Sequence, residues 1–257
     1  MNNSKVSILV SSCDKYYEAW MPFFTLLNKY WTECHFPKYL LTESSSYTDF
    51  DVKTINCQSN EWSSRLLYAL DKIDTEYVLF LLEDFFIMGK VDNEAIKRYV
   101  SYLDNDENMS VIYLKTIAGQ NTVSSEHPEL IKMEAGNKYY MNFQAALWRR
   151  KDLMGIIKPG LSPWDIEEEL SRSMESGDFY CVKSSSYTDC SNDVIPYLWA
   201  LEAGYGICKS KWLWNNRRFF KREGVKCKCE SLPTMSKFTY LKDKYWKTIQ
   251  KKVFGKY

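Results

Sequence analysis

Two adjacent carboxylates, Glu83 and Asp84, directly follow the apolar run Tyr77–Leu82 in this sequence of 257 residues. A short apolar run closed by polar residues is typical of a buried strand. In an open α/β sheet, ligands bind beyond the carboxyl ends of the strands. A carboxylate pair at such a strand end can hold a divalent cation, which in turn neutralises a diphosphate. The alternative is that Asp84 caps a turn while Glu83 is solvated.

A second acidic loop follows the β-branched apolar run Val6–Val10. That run is closed by Ser11, Ser12, Cys13 and Asp14, so the same reasoning predicts a first strand followed by a loop at the ligand-binding edge.

A third acidic segment begins at Ser162-Pro163-Trp164 and contains Asp165 and Glu167. Ser162 is a good N-cap, proline suits the first helical position, and an acidic first turn favours a helix start. With Asp165 at the third helical position the pattern is nearly a capping box, so local capping explains the same spacing without any catalytic role. The helix would bury Ile166, Leu170 and Met174 and pair Glu168 with Arg172 on its surface.

The histidine and cysteine content limits the kinds of metal and catalytic site that the chain can form. The only histidines are His35 and His127, which argues against a histidine-based metal site or a Ser/His/Asp triad. Eight cysteines lack the spacing of a disulfide framework and are predicted to be free thiols. Cys227 and Cys229, separated by one lysine, have no second Cys or His pair nearby to complete a zinc site. The chemistry must therefore rely on carboxylates.

The elements that would position these residues alternate between strand and helix over residues 6–115, which predicts an α/β fold with a mostly parallel sheet flanked by helices. No linker divides the chain. The predicted strands are Val6–Val10, Tyr39–Thr42, Val52–Cys57, Tyr77–Leu82, Val111–Leu114, Tyr140–Trp148 and Phe179–Val182. The predicted helices are Tyr16–Trp31, Trp62–Ile73, Asp92–Leu103, one from about Arg150, one from Pro163, and Ile195–Ala203.

Taken in order, these segments resemble those of GT-A glycosyltransferases. Val78–Phe85 is similar to the family's apolar strand and Asp-x-Asp motif, and Ile8–Asp14 to its first strand and nucleotide-contacting loop. Glu61–Leu66 is similar to the helix start that precedes the acidic strand, and Asn142–Trp148 to the strand that faces donor and acceptor. The resemblance covers residues 5–170 and implies a GT-A-like, Rossmann-like sheet with an acceptor-side second half.

The resemblance also implies roles for individual side chains. Glu83 and Asp84 would hold a metal ion and the sugar nucleotide, and a phosphate would pair with Arg65. Asp165, with Glu167 as second choice, would take the acceptor's proton in an inverting transfer. The remaining implied contacts are Ser11, Ser12, Cys13 and Asp14 with the nucleotide, and Gln144 and Trp164 with the sugars.

One position departs from the family motif. Phe85 occupies the place of the second acidic residue, which leaves the dependence on Mn²⁺ or Mg²⁺ open. Some enzymes of this fold use basic residues instead, and the candidates for that role are Arg149, Arg150 and the Lys/Arg cluster at 217–222.

The C-terminal part carries an unusual charge. From Lys209 onward the formal charge is +12, whereas the preceding residues carry −11. Aromatic and apolar residues recur at helical spacing among lysines over 237–257, a pattern that favours an anionic lipid surface. A helix docked on the body with solvated lysines is the alternative. We expect a glycosyltransferase domain over residues 1–210, divided into a nucleotide-sugar half (1–115) and an acceptor half (116–210), and a basic aromatic extension over 211–257.

The resemblance, together with these features, implies a hexosyltransferase that moves a sugar from a nucleotide donor, a UDP-sugar, to a glycan hydroxyl. The expected acceptor is a lipid-linked precursor of capsule, O-antigen or lipopolysaccharide. The expected location is cytoplasmic, peripheral on the inner face of the plasma membrane, without nucleic acid. One alternative is a non-catalytic carbohydrate- or nucleic-acid-binding protein built on the basic aromatic end. The other is a sugar nucleotidyltransferase, although Ser11–Asp14 lacks the glycines of that class's first loop.

Overall fold

The apolar runs of the N-terminal half form four neighbouring parallel strands in a computed structural model, which describes residues 4–174, 178–183, 189–198 and 204–243. Ser11 pairs with both Leu41 and Leu82, so three of these strands end at the same edge of the sheet. The four strands are β1 (Val6–Ser11), β2 (Lys38–Thr42), β3 (Val52–Asn56) and β4 (Tyr77–Leu82).

The second half completes an eight-stranded sheet in the order β3-β2-β1-β4-β7-β5-β8-β6. Its strands are β5 (Met109–Tyr113), β6 (Leu130–Lys132), β7 (Ala146–Arg149) and β8 (Asp178–Val182). β7 lies antiparallel between β4 and β5, and β6 lies antiparallel to β8, whereas all other pairs are parallel. Since Ala146 pairs with Phe80, the residues just before β7 lie beside the carboxyl end of β4. The predicted α/β class with a mostly parallel sheet is confirmed.

Helices cover both faces of the sheet because the strand side chains are apolar on both sides. One core contains Ile8, Leu79 and residues of α1 (Tyr17–Tyr30) and α3 (Asn93–Asn105). The other contains residues of α2 (Trp62–Lys72), α4 (Arg150–Ile156) and α5 (Pro163–Ser173). Asp92 caps α3 by accepting a hydrogen bond from the Ala95 amide, as predicted. Among the described residues, no helix has the length and apolarity required to cross a bilayer.

A small second sheet packs beside the first. It joins β9 (Ile207–Cys208), β10 (Lys211–Leu213) and β11 (Thr234–Met235), with the helix α6 (Asn216–Glu223) between the last two strands. Trp212, Phe219 and Phe220 are buried in the same core as β1 and α1. The division of the chain at residue 210 stays a prediction, and residues 244–257 of the expected extension lie outside the described residues.

Two predicted elements differ from the structure. The expected strand Tyr140–Trp148 is a strand only from Ala146, because the Asn142 side chain bonds the Gln144 amide and the Tyr139 carbonyl. Such local side-chain bonds compete with a sheet ladder. Residues 195–198 of the expected helix Ile195–Ala203 are not helical, and residues 199–203 lie outside the described residues.

Candidate functional site

The end of β1 is fixed at the sheet edge by tryptophans from two helices. The Trp62 indole of α2 donates to Ser11 Oγ over 3.0 Å, and the Trp20 indole of α1 donates to Ser12 Oγ over 2.8 Å. Both serines are buried. Ser11 and Ser12 therefore have their hydroxyls engaged by the protein, and their backbone leads directly into Cys13 at the edge.

Glu83 and Asp84 follow β4 at this edge, in an environment that disfavours charge. Glu83 is only 6% exposed, and burial first, then the neighbouring Asp84, raises its pKa well above the ordinary value. Burial also raises the pKa of Asp84 to about 6, although its carboxylate accepts a 2.7 Å bond from the Ile207 amide of β9. Burial and then Glu83 raise the pKa of the nearby Cys13 thiol to about 12. A ligand with positive charge would relieve this arrangement.

Asp14 and Arg65 both contact the loop that follows β2. The Asp14 carboxylate accepts from the amides of Ser44 and Ser45 and from the Ser44 hydroxyl. Burial opposes ionisation there, but these bonds outweigh it and lower the pKa of Asp14 to about 2. Arg65 is 3% exposed, lies 3.1 Å from a Glu43 carboxylate oxygen and donates to the Ser59 carbonyl. Its Nε has no hydrogen-bond partner among the described residues.

Lys115, a buried lysine that the sequence analysis did not select, is connected to the segment of the carboxyl pair through Tyr197 and Phe85. Lys115 is 3% exposed, forms an ion pair with the buried Asp193, and lies 4.6 Å from the centroid of the Tyr197 ring. The Tyr197 hydroxyl donates to Gln144 Oε1 over 2.8 Å. Its ring stacks on Phe85 with 4.5 Å between centroids. Phe85, in the place of the second acid of the family motif, thus belongs to an aromatic stack that holds Gln144 at the edge.

One signal for this cluster was present in the sequence. Lys115 directly follows the apolar run Val111–Leu114, so the strand-end reasoning applied to Glu83 and Asp84 selects it as well. Asp193 and Tyr197 come from an irregular segment, residues 189–198, and no periodicity or motif points to them.

The two candidate bases on α5 point in different directions. Asp165 forms a capping box with Ser162, and these hydrogen bonds lower the pKa of its exposed carboxyl. It lines an open groove of about 530 Å³ together with Glu168, Glu169 and Arg172, the outward face of the helix. Glu167 lies about 200° around the helix from Asp165. It accepts a 2.7 Å bond from the Phe143 amide, and burial raises its pKa to about 7.

The other predicted side chains are distributed unevenly. Gln144 lies at the edge, as described, whereas Trp164 is 74% exposed at the start of α5. The expected surface pair of Glu168 and Arg172 is present at 2.7 Å. Arg149 and Arg150 lie at the opposite end of the sheet, because Arg149 pairs with Tyr77, the first residue of β4. Since five strand residues span about 17 Å, these two arginines lie too far from the Leu82 end to take the role predicted for them there.

The donor set at the edge fits a divalent cation only in part. No group of three or more His, Cys, Asp or Glu side chains within residues 4–174, 178–183, 189–198 and 204–243 could hold a metal ion. Mg²⁺, however, is commonly held through one or two carboxylates with substrate phosphates and water as the remaining ligands. Glu83 and Asp84 suit that second arrangement, in which the ion binds together with a diphosphate.

Comparison with known proteins finds similar structures at low sequence identity. No protein-family model matches the sequence, and no curated protein matches it. Among solved structures, residues 1–349 of S. aureus TarS match 71% of this chain and 59% of that one, with 15% identity and a TM-score of 0.47. Bifunctional IspDF from Campylobacter jejuni matches 71% and 50%, with 15% identity and a TM-score of 0.44. Galactosyltransferase LgtC matches 67% of each chain, with 11% identity and a TM-score of 0.36.

The match thus spans less than two thirds of the TarS and IspDF chains. Both a galactosyltransferase and a cytidylyltransferase are among the matched structures. The α/β class of this chain rests on its own strand order and strand directions.

The buried ion pair behind the site generates a stability prediction. Lys115→Ala leaves the Asp193 carboxylate buried without its countercharge, so we expect a loss of about 3–5 kcal/mol in the free energy of unfolding. Denaturant titration followed by circular dichroism measures this loss. Arg172→Ala, which removes the exposed partner of Glu168, is the control and should cost less than about 1 kcal/mol. Equal losses for the two variants would contradict the structural role of the pair.

Proposed function

We propose that this protein is a glycosyltransferase that uses a nucleotide-sugar donor. The observation that carries the proposal is that two kinds of carboxyl group lie at the same edge of the sheet, one directly after β4 and one bonded to the Phe143 amide just before β7. Glu83, which is buried, and Asp84, which is half-buried, form a pair suited to a cation and a diphosphate, and Glu167, bonded beside Gln144, has a pKa of about 7. A general base works best when its pKa lies near the operating pH.

The donor in this proposal is a UDP-sugar, bound at the carboxyl ends of β1 and β4 with Cys13 and Asp14 beside the nucleotide. A divalent cation held by Glu83 and Asp84 would neutralise the negative charge of the departing diphosphate. Arg65 is buried and paired with Glu43, so its pairing with a phosphate stays a prediction from the sequence. Gln144, oriented by Tyr197, is placed to contact a sugar hydroxyl.

The proposed reaction is inverting, with Glu167 as the base. The acceptor hydroxyl oxygen attacks the anomeric carbon, its proton passes to the Glu167 carboxylate, and the bond from the sugar to the diphosphate breaks. Glu167 is favoured over Asp165 because it is half-buried, lies next to the sheet edge and has the higher pKa. Trp164 then contributes an exposed aromatic face for the acceptor, which we propose to be a lipid-linked precursor of a surface polysaccharide.

Donor binding is the first test. In a thermal-shift screen of nucleoside diphosphates and sugar nucleotides with Mn²⁺, Mg²⁺ or EDTA, we expect UDP and one UDP-sugar to raise the melting temperature. A ligand at about 100 times its Kd adds about 2.7 kcal/mol of stability. Asp84→Asn should weaken this binding at least about tenfold, or about 1.4 kcal/mol. Its amide oxygen can still accept the Ile207 bond, so the fold is retained.

Asp71→Asn is the matched control, since Asp71 is an exposed aspartate on α2 and should leave binding unchanged. A shift with a nucleoside triphosphate, and release of pyrophosphate when a sugar phosphate is added, would replace the proposal with a nucleotidyltransferase. Salt-dependent binding of single-stranded RNA without any nucleotide response would replace it with a binding protein.

The base assignment predicts a pH profile. Turnover, followed as release of the nucleoside diphosphate from the donor, should rise as the pH increases through about 7, because Glu167 must be ionised to accept the proton. Glu167→Gln keeps an acceptor for the Phe143 amide, so donor binding should persist while kcat falls by about 10²–10⁴-fold and the rise near pH 7 disappears.

The stability of the fold should respond in the opposite direction. A raised carboxyl pKa means that the folded state binds the proton more tightly than the unfolded state does. The contribution of Glu167 is therefore fully present below the unfolded pKa of about 4.5 and is lost as the pH rises through about 7. Asp165→Asn is the control for catalysis: it removes a favourable charge from the first turn of α5, should cost less than about 1 kcal/mol of stability, and should leave kcat unchanged. Loss of turnover in that variant alone would return the role of base to Asp165.

Peripheral attachment to an anionic membrane is part of the proposal. It is supported by the exposed face of α6, where Arg217, Arg218, Lys221 and Arg222 are exposed while Phe219 and Phe220 are buried. Each basic residue near an anionic surface contributes about 1 kcal/mol.

A vesicle experiment tests this attachment. The protein should sediment with phosphatidylglycerol-containing vesicles at low salt and far less with phosphatidylcholine alone. Arg218→Ala with Lys221→Ala should weaken that binding by about 2 kcal/mol, or about thirtyfold. Lys53→Ala with Lys72→Ala, which removes two lysines from other elements, should have little effect. Equal sedimentation with neutral and anionic vesicles would contradict electrostatic attachment.

A further inference from the structure

Cys227 and Cys229 form a close pair of thiols. Their sulfur atoms are 3.5 Å apart, and neither takes part in a disulfide. Both residues belong to the segment between α6 and β11, on the side of the molecule where it packs against α1. A movement of about 1.5 Å, within reach of a side-chain rotation, brings the sulfurs to the disulfide bond length of about 2.05 Å.

The surroundings divide the two sulfurs into different chemical roles. Cys227 is half-buried and so reachable from solvent, whereas Cys229 is only 2% exposed. The sulfur–sulfur hydrogen bond with Cys229 lowers the pKa of Cys227 and outweighs burial, which raises it, and the Arg217 guanidinium adds to the lowering. The pKa of Cys229 is raised, first by that same contact and then by burial. Cys227 is therefore the thiol that ionises, and the thiolate is the reactive form of cysteine.

The segment holding the pair is anchored independently of the sulfurs. The Glu18 carboxylate of α1 accepts 2.8 Å bonds from the amides of Glu230 and Ser231 and a 3.3 Å bond from the Trp212 indole. These bonds keep Cys229 facing the core while Cys227 remains at the surface. Covalent joining of the sulfurs therefore leaves the attachment of the segment to α1 in place.

We propose that Cys227 and Cys229 form a redox-active dithiol that hydroperoxides oxidise to an intramolecular disulfide. The Cys227 thiolate attacks one peroxide oxygen, the O–O bond breaks, and Cys227 becomes a sulfenic acid while the other oxygen leaves as water or an alcohol. The Cys229 sulfur then attacks the Cys227 sulfur, the S–O bond breaks, and the oxygen leaves as water with the Cys229 proton. Two thiols lose two electrons, and the peroxide gains them.

A metal site accounts less well for the same pair. Within the described part of the chain, Cys227 and Cys229 belong to no group of three or more His, Cys, Asp or Glu side chains that could hold a metal ion. From α1, the Glu18 carbonyl lies 3.8 Å from the Cys227 sulfur, and the Glu18 carboxylate is already bonded to two amides. A close pair with one acidic and one buried thiol instead matches an attacking and a resolving cysteine.

The test is peroxide titration of the full, reduced chain, followed by alkylation of the remaining thiols in denaturant and mass spectrometry. At low peroxide excess, the number of alkylated thiols per chain should fall by two from the eight of the reduced chain. Both losses should map to Cys227 and Cys229. The intact mass should fall by about 2 Da, because a disulfide forms with loss of two hydrogens, and dithiothreitol should reverse the change.

Single substitutions separate the roles of the two thiols. Cys229→Ser should stop the reaction at a Cys227 sulfenic acid, which a dimedone adduct detects, and Cys227→Ser should leave Cys229 reduced. Cys34→Ser is the matched control. Cys34 is also half-buried, but burial raises its pKa, so this variant should form the disulfide between Cys227 and Cys229 as the unsubstituted chain does. The proposal is overturned if the unsubstituted chain shows Cys227 and Cys34 oxidised at rates within about tenfold of each other. It is also overturned if Cys227 proceeds to sulfinic acid while Cys229 stays free.

Discussion

The parallel pairing of β1 with β4 is the constraint on which the candidate site depends. Six consecutive residue pairs run from Val6 with Tyr77 to Ser11 with Leu82, so both strands end together. A slip of one residue would turn every side chain of one strand to the opposite face. Because both faces are packed with apolar side chains, the register is held by two separate cores, and Asp84 therefore leaves the sheet within reach of the loop after Ser11.

That placement has an electrostatic consequence. The apolar strands that fix the register also exclude water from the first residues after them, so Glu83 is buried and Asp84 half-buried at the rim of the core. Their charged forms are disfavoured, whereas Asp14, which accepts several hydrogen bonds from the loop after β2, is stabilised as a carboxylate. The same edge thus contains Asp14, which is stabilised as a carboxylate, and a carboxyl pair whose pKa values burial raises.

The sequence predicted what is local or periodic, and failed where the structure depends on contacts distant in the chain. The strands from Val6 to Leu82 and the capping residues Asp92 and Ser162 follow from alternation and helix signals, and the structure reproduces them within one or two residues. The short strands β6, β9 and β11 have two or three residues each and no period to detect. On α5, sequence spacing could not separate Asp165 from Glu167. The difference arises from the Phe143 amide, which β7 brings to one face of that helix.

The same long-range packing explains the phenylalanine at position 85, where the motif that the sequence resembles has a second acid. Phe85 is nearly buried and stacks on Tyr197, whose hydroxyl bonds Gln144 and whose carbonyl accepts from Lys115. An aspartate at this position would lose the stacking and bring a third carboxyl beside Glu83 and Asp84, whose pKa values are already raised by burial. Phenylalanine instead ties the acidic edge to the segment that carries the buried ion pair. Phe85 therefore contributes packing to the geometry of this edge.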